Sequence, residues 1–316
     1  MAAEFLLELG KKMALTTAKK QASPLLSVII PCLGHAPELR ACLAVLREQR
    51  EQLDFEVLVV DSASDPEVQA VVAAFSRIHL IRSEAVLTPG AARNLGVRHA
   101  TGDRLAFLDA DCIPAPDWVD QARHSLQAGM KIVGGPVLDV RPNHPIAWAD
   151  NRLQFADFQA GRPTGPGTHF PSCNLVMHRA TFESLGGFPT GMPTGEDVLL
   201  SQRAVELYPD EMLYNHALVV RHWGRQTWRE LVSHQSSLGF HRASLRLFLG
   251  RSYLWLGRHP VLASWVILRR WAYVSLRTFQ YDRSGLWRLF LYLPWILAGL
   301  IAWTAGFYSG MQLPGE

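Results

Sequence analysis

"RLAFLDADCIPAPDW", residues 104–118, decides the fold. Leu105, Ala106, Phe107 and Leu108 make a short apolar run with the length and content of a buried strand. Asp109 and Asp111 follow at once. Asp is depleted in strands and an unpaired buried carboxylate is costly, so two acids at the end of a core strand require a partner. Residues i and i+2 of an extended segment point to one side, which predicts both carboxylates facing a single point. Converging acids repel unless a cation lies between them. Oxygen ligands of this kind suit Mg2+ or Mn2+, which keep part of their water and share a substrate phosphate. An Asp-x-Asp triplet also arises by chance in a chain of this size. Its weight comes from its place at the C-terminal end of a strand, where open α/β sheets bind their ligands.

Upstream, strands and helices alternate. Pro24 and "LLSVIIP" predict a buried strand ended by Pro31, and residues 37–52 carry Leu39, Leu43 and Leu46 at helical spacing. "FEVLVVDSASDP" is an apolar strand ending in Asp61; a helix and strand follow over roughly 66–82. "TPGAARNLGVRHATGD" then supplies a Pro–Gly helix start and a Gly stop. This alternation implies a largely parallel sheet covered by helices. Pro31, Asp61 and the Asp109/Asp111 pair all fall at strand ends on one sheet edge. Asp61 alone reads as a turn former or cap; three such ends at one crevice fit a nucleotide, with a carboxylate for base or ribose and a metal for the diphosphate. Arg93, near a helix start, adds positive charge to that crevice or serves as an ion-pair partner.

Composition divides the chain. Its net charge of +3 conceals an acidic body, residues 1–220, followed by a basic stretch, 221–290, in which Glu230 and Asp282 are the only acids. That pattern points to an anionic surface rather than to nucleic acid. "LFLYLPWILAGLIAWTAGFY", 289–308, is free of charge. As one helix it is long enough to cross a bilayer, with Trp and Tyr at both ends. A transmembrane helix over 289–308 is therefore expected, with a buried core helix as the alternative. Arginines before it and none after it would put residues 1–288 on the cytoplasmic side. "VLASWVIL", 261–268, is too short to span and reads as an interfacial helix with snorkelling arginines. The expected division is thus an amphipathic segment over 1–23, a catalytic domain over 24–245, a basic interfacial region over 246–288 and the membrane helix. Cys32, Cys42, Cys112 and Cys173 show no paired spacing, so neither a zinc site nor a disulfide framework is indicated.

Two stretches of the second half carry polar chemistry. "LGGFPTGMPTGEDVLLSQRAVE", 185–206, sets Glu196–Asp197 at the start of an apolar-periodic helix after a glycine loop. Acids there serve as an N-terminal cap, and one of them is equally placed to take a proton from an acceptor hydroxyl. "VVRHWGRQTW", 219–228, ends a strand with His222, a structural histidine or a metal or phosphate partner.

In order and spacing, "SVIIPCLG", "EVLVVDSASD", "ARNLGVRHATGDRLAFLDADC", "SCNLVMHRATFESLGGF", "GEDVLLSQR" and "HWG" resemble the family 2 glycosyltransferases, from about Ser27 to His222. The resemblance implies a GT-A fold, a nucleotide-binding, Rossmann-like mixed sheet flanked by helices, and inversion at the anomeric carbon. It implies a nucleotide-diphospho-sugar donor, and the basic stretch and uncharged tail add the expectation of a lipid-linked or membrane-proximal glycan acceptor in cell-envelope polysaccharide assembly. Residue by residue, Asp61 would bind the base. Asp109 would reach the ribose or a metal-bound water, and Asp111 would ligate Mg2+ or Mn2+. Asp197 would be the general base with Glu196 beside it, and His222 would stand on the metal or diphosphate side. Members of the family often carry a further acid where Ser62 stands, so the contact to the base, and hence UDP, is open. A sugar nucleotidyltransferase would need a Gly-rich basic loop after the first strand, which "PCLGHAPEL" does not supply. A tethered nucleotide-sugar-binding protein without catalysis is the remaining alternative.

Overall fold

The structure, a computed structural model, describes residues 26–248 and 262–312. The amphipathic segment expected over 1–23, and residues 249–261 of the basic region, lie outside the described residues.

The apolar runs form the strands expected of them: β1 (Leu26–Cys32), β2 (Glu56–Ser62), β3 (Ile78–Ser83) and β4 (Arg104–Leu108). Between them run α1 (Ala36–Arg50), α2 (Pro66–Ala73) and α3 (Pro89–His99). Proline opens α2 and α3, where its missing N–H costs nothing, and the Asp65 and Thr88 side chains cap them. The four strands lie in parallel in the order β3-β2-β1-β4. The chain thus winds outward from β1 and returns to its other side, so the C-terminal ends of β1 and β4 border the switch point where ligands of such sheets bind.

Beyond β4 come β5 (Cys112–Pro114), α4 (Trp118–Gln127), β6 (Ile132–Gly134), β7 (Val137–Asp139) and α5 (Pro145–Phe155). They are followed by β8 (Gly165–Pro166), β9 (Asn174–His178), α6 (Arg179–Ser184), α7 (Glu196–Leu207), β10 (Met212–Tyr214) and β11 (Val220–His222). The parallel half extends as β4-β9-β6-β10-β8, with β9 antiparallel to both β4 and β6, so the main sheet is mixed rather than largely parallel. A second sheet, β5-β11-β7, brings His222 opposite Cys112 and therefore beside the turn that holds Asp111. Asn174 locks the two sheets together: buried at the start of β9, it accepts from Trp118 Nε1 and donates to the carbonyls of Pro136 and Leu218. All four cysteines are buried and unpaired.

The C-terminal part is helical: α8 (Trp228–Phe248), α9 (Ala263–Tyr281), α10 (Leu286–Leu291) and α11 (Leu293–Met311). Here the expected membrane helix over 289–308 is corrected. The chain breaks at Tyr292, and the segments on either side, Arg283–Leu291 and Leu293–Met311, are bent by 81°. Pro294 starts a new helix rather than kinking an old one. Among the described residues no single helix is long and apolar enough to cross a membrane, although that bent pair passes together by length and composition. Half of α11 is spent on protein contacts. Ile296 and Leu300 join Trp148 and Leu153 of α5 in one buried cluster, and Trp303 and Phe307 pack with Ala243 of α8. Glycines bring α8 and α11 close, since a Cβ built at Gly239 or Gly306 would overlap the carbonyl of Trp303 or Ser236. A salt bridge between Arg152 of α5 and Asp282, 2.5 Å and largely buried, ties the far end of α9 to the same helix.

Candidate active site

A cleft of about 1100 Å³ opens along the C-terminal edge of β1 and β4 and is roofed by α8, α9 and α11. Pro31, Arg93, Asp109 and Asp111 line it, and so do Glu196, Asp197 and His222. Residues up to 191 positions apart in sequence (222 − 31) are thereby gathered on one wall.

Asp109 and Asp111 do not face one point. They flank a turn in which the amide of Cys112 donates to the Asp109 carbonyl (3.0 Å), not an extended segment. Each carboxylate consequently has its own partner. Asp109 takes Arg93 Nη2 at 2.5 Å, whereas Asp111 lies 3.4 Å from His222 Nε2. Burial works against the Asp111 carboxylate, yet His222 holds its pKa well below the usual range. Burial likewise opposes the His222 imidazolium, and Asp111 outweighs it, so His222 is raised.

Arg93 is buried between two acids rather than open to the crevice. Its other terminal nitrogen meets Glu196 at 2.6 Å, and its guanidinium stacks over Phe188 at 5.4 Å. Burial pushes the Glu196 carboxyl up; Arg93 pulls it down and Asp197 pushes it up again. Among the described residues Asp197 forms no salt bridge. At the N-terminus of α7, entered through Gly195 at φ 92°, it accepts from the amides of Ser172 (3.2 Å) and Val198 (2.8 Å). The two amides and the start of α7 fix the carboxylate where it lines the cleft.

Asp61 is the predicted residue that the structure leaves out of the lining; its neighbour Ser62 takes that place. It lies opposite Cys32 in register, accepts from the Asp65 amide at 3.1 Å, and keeps a buried Oδ2 without a partner. Burial raises its pKa.

Three contributors were not singled out from sequence. His169, in the loop "AGRPTGPGTHFP", lines the cleft with a buried, unpartnered Nδ1. Arg225 lines it three residues after His222, and His234 of α8 lines it while bonded through Nδ1 to Asp150 at 3.0 Å. For His234 a signal existed: His234, Leu238, His241 and Leu245 recur at helical spacing.

With this geometry in place, comparison with known proteins is decisive. The sequence profile of glycosyl transferase family 2 matches residues 27–186. The chain belongs to that family. It is accordingly a glycosyltransferase. Its relatives include the glycosyltransferase AglE of Haloferax volcanii, 28% identical over 251 residues, covering 78% of this chain and 81% of AglE. The pre-mycofactocin glycosyltransferase of Mycobacterium tuberculosis is 27% identical over 265 residues, 80% of this chain but 53% of that protein, so the chain spans about half of that relative's length. Among solved structures, the mannosyltransferase PcManGT from Pyrobaculum calidifontis, in complex with GDP-Man and Mn2+, aligns with TM-score 0.57 and 21% identity over 97% of this chain and 94% of that one. TarS of S. aureus, in complex with UDP-GlcNAc, gives TM-score 0.51 and 15% identity over 90% of each chain. Both share the GT-A-like fold.

A divalent cation fits part of this transferase's wall. Asp111 and His222 offer a carboxylate oxygen and an imidazole nitrogen side by side at the cleft, donors that Mn2+ accepts. Among the described residues no three His, Cys, Asp or Glu side chains are grouped to hold a metal, and Asp109 is engaged by Arg93. Mg2+ and Mn2+ bound by one or two protein ligands complete their shell with water and substrate phosphate, and the pair is consistent with such a site.

Proposed function

We propose that this enzyme is an inverting, metal-assisted transferase that moves a sugar from a nucleoside-diphosphate donor to a hydroxyl of a lipid-linked or membrane-proximal glycan acceptor. Asp197 is its general base. The carrying observation is the placement of Asp197: held by two backbone amides, and among the described residues in no salt bridge, on the wall shared with Asp109, Asp111 and His222. The donor nucleotide takes the switch point. Pro31 and Ser62 line the cleft there, and Asp61, the base contact that the family resemblance implies, lies buried directly before Ser62. Asp109, held by Arg93, faces the ribose. Asp111 and His222 hold the cation, which when bound neutralises charge developing on the departing diphosphate. Asp197 takes the proton of the acceptor hydroxyl as its oxygen attacks the anomeric carbon from the face opposite the leaving group, which inverts the configuration. Glu196, neutralised by Arg93, serves the acceptor pocket and not proton transfer.

The membrane-proximal acceptor and a place on the cytoplasmic membrane face are supported by the surface of the C-terminal helices. Trp265, Leu268, Leu276 and Phe279 of α9, and Trp287 and Phe290 of α10, are each more than half exposed. A soluble face inverts this pattern. Arg269, Arg283 and Arg288 stack on Trp265, Phe279 and Trp287 at its rim. Amphipathic helices lie in bilayer interfaces with such residues, and this replaces the single spanning anchor.

Calorimetric titration of UDP, GDP and CDP, each with and without Mn2+, tests the reading. Metal-dependent binding of one nucleotide is expected and names the donor class. Folded protein that binds none of them would overturn the donor site and with it the transferase mechanism above.

A further inference from the structure

The cleft has two ends of opposite character. The β-strand edge is acidic, and its carboxylates are matched to Arg93, to His222 or to backbone amides. The roof is basic. On α8, His234, Leu238, His241, Arg242 and Leu245 all line the cleft, and each stands three or four residues from another of the set, which puts them on one side of the helix. Among the described residues neither His241 nor Arg242 forms a salt bridge, and Arg225, just ahead of α8, forms none either. His234 is oriented. Its Nδ1 meets the buried Asp150, which also accepts from Gln235 at 2.8 Å, so Nδ1 carries a proton, and in the imidazolium form Nε2 is the donor left for an anion.

The acidic end already accounts for a donor and its cation. The roof's unpaired charge therefore awaits a second anion, and its position says which. His169 and Arg242 lie within electrostatic reach of Asp197, the proton acceptor, so the anion belongs to the acceptor rather than to the nucleotide. Arg and His donors converging from one helix suit phosphate oxygens. Beside them the wall turns aromatic: Trp265 and Tyr273 of α9 line the cleft and are also 52% and 42% exposed. Both continue into the apolar outer side of α9, where Leu268 follows Trp265 by three residues, Leu276 follows Tyr273 by three and Phe279 follows Leu276 by three, while Val274 and Thr278 are buried.

We propose that the roof is an acceptor subsite for a phosphate ester with an apolar chain. His234, His241 and Arg242 take the phosphate, and Trp265 and Tyr273 guide the chain from the outer side of α9 to the cleft. This rests on the transferase reading for its role but is tested by binding alone. Full-length protein is titrated with octyl phosphate, octanol and inorganic phosphate. Octyl phosphate is expected to bind about tenfold or more tightly than either other probe, since both halves of the site contribute. The double variant Arg242→Gln with His241→Gln should weaken octyl phosphate about tenfold and leave nucleotide affinity within about twofold. Trp265→Ser, at an exposed position that tolerates change, should weaken octyl phosphate and leave inorganic phosphate unaffected. Equal binding of octanol would leave only an apolar groove. Inorganic phosphate binding as tightly as the ester would make this a free-anion site. Either result, or indifference to the substitutions, overturns the proposal. If octyl phosphate binds as expected while every nucleotide fails, the transferase reading falls and the subsite stands. If a nucleotide binds and octyl phosphate does not, the subsite falls and the transferase reading stands.

Discussion

The strand edge and the helical roof of the cleft are built on different principles. On the edge, each charge has its counter-charge or its amides, and the side chains sit at the ends of strands whose positions are fixed by a continuous core. Arg93 alone joins Asp109 and Glu196, which are 87 residues apart (196 − 109), inside a shell that leaves its side chain 3% exposed. On the roof, Arg225, His241 and Arg242 form no salt bridge among the described residues, and large apolar side chains face outward. A region whose interactions are closed within the protein has finished its work on folding. One left open has kept its interaction free energy for something outside.

The sharpest way to break that comparison is at Asp197. Replacing it with Asn keeps the shape and one of the two amide contacts but removes the base. A fall in kcat of about a thousandfold, on the order of 4 kcal/mol of barrier, is expected with nucleotide affinity nearly unchanged. Retained turnover in a transfer assay would move the chemistry away from α7. Next in size is Arg93→Met, which strands two carboxylates in a buried place. Thermal or denaturant unfolding should show a loss of about 3 kcal/mol, and restoring charge balance by adding Glu196→Gln should return part of it.

Glu56 sharpens the comparison from the opposite end of the sheet. Burial would raise its carboxyl, but hydrogen bonds from Ser27 Oγ (2.6 Å), Thr101 N (2.5 Å), Thr101 Oγ1 (3.1 Å) and Gly102 N (3.2 Å) bring its pKa below the ordinary value. A depressed carboxyl contributes stability above its unfolded pKa, roughly 4.3, and loses it as the pH falls through the folded value. Glu56→Gln should therefore cost about 1–3 kcal/mol at pH 7, a gap that closes in unfolding curves taken below about pH 4. The smallest effect is expected on the roof. Leu276→Ser, on the exposed side of α9, should alter stability by less than about 0.5 kcal/mol yet weaken co-sedimentation with anionic phospholipid vesicles. A large loss of stability would mean that α9's outer side is packed after all.

This contrast also explains what the sequence disclosed. Val28–Ile30, Val57–Val60 and Leu105–Leu108 are short apolar runs closed by turn residues, so strands, their order and the acids at their ends could be read directly. The resemblance to family 2 then placed Asp197 and His222 on the same edge. Side-chain partnerships were not legible. Asp109 and Asp111 looked like a pair because an extended strand would align them, but the chain turns at Ala110 and sends one to Arg93 and the other to His222. The break in the tail was hidden for a related reason. An uncharged run of bilayer length shows no bend in its composition, and the 81° turn at Tyr292 is visible only in the structure. His234 and Arg242 went unnoticed because a basic stripe on a helix reads as solvated surface until a cleft is known to lie beneath it.

The glycine contact between α8 and α11 has a consequence of a mechanical kind. With no side chain at Gly239 and Gly306, backbone lies against backbone, and α8 cannot turn about its own axis without colliding with the carbonyls of Trp303 and Ser236. The direction in which His234, His241 and Arg242 point is thereby indexed, as a keyed shaft is held in its hub. Residues that touch no substrate set the bore of the cleft, and a single methyl group added at either glycine would retune what passes through it.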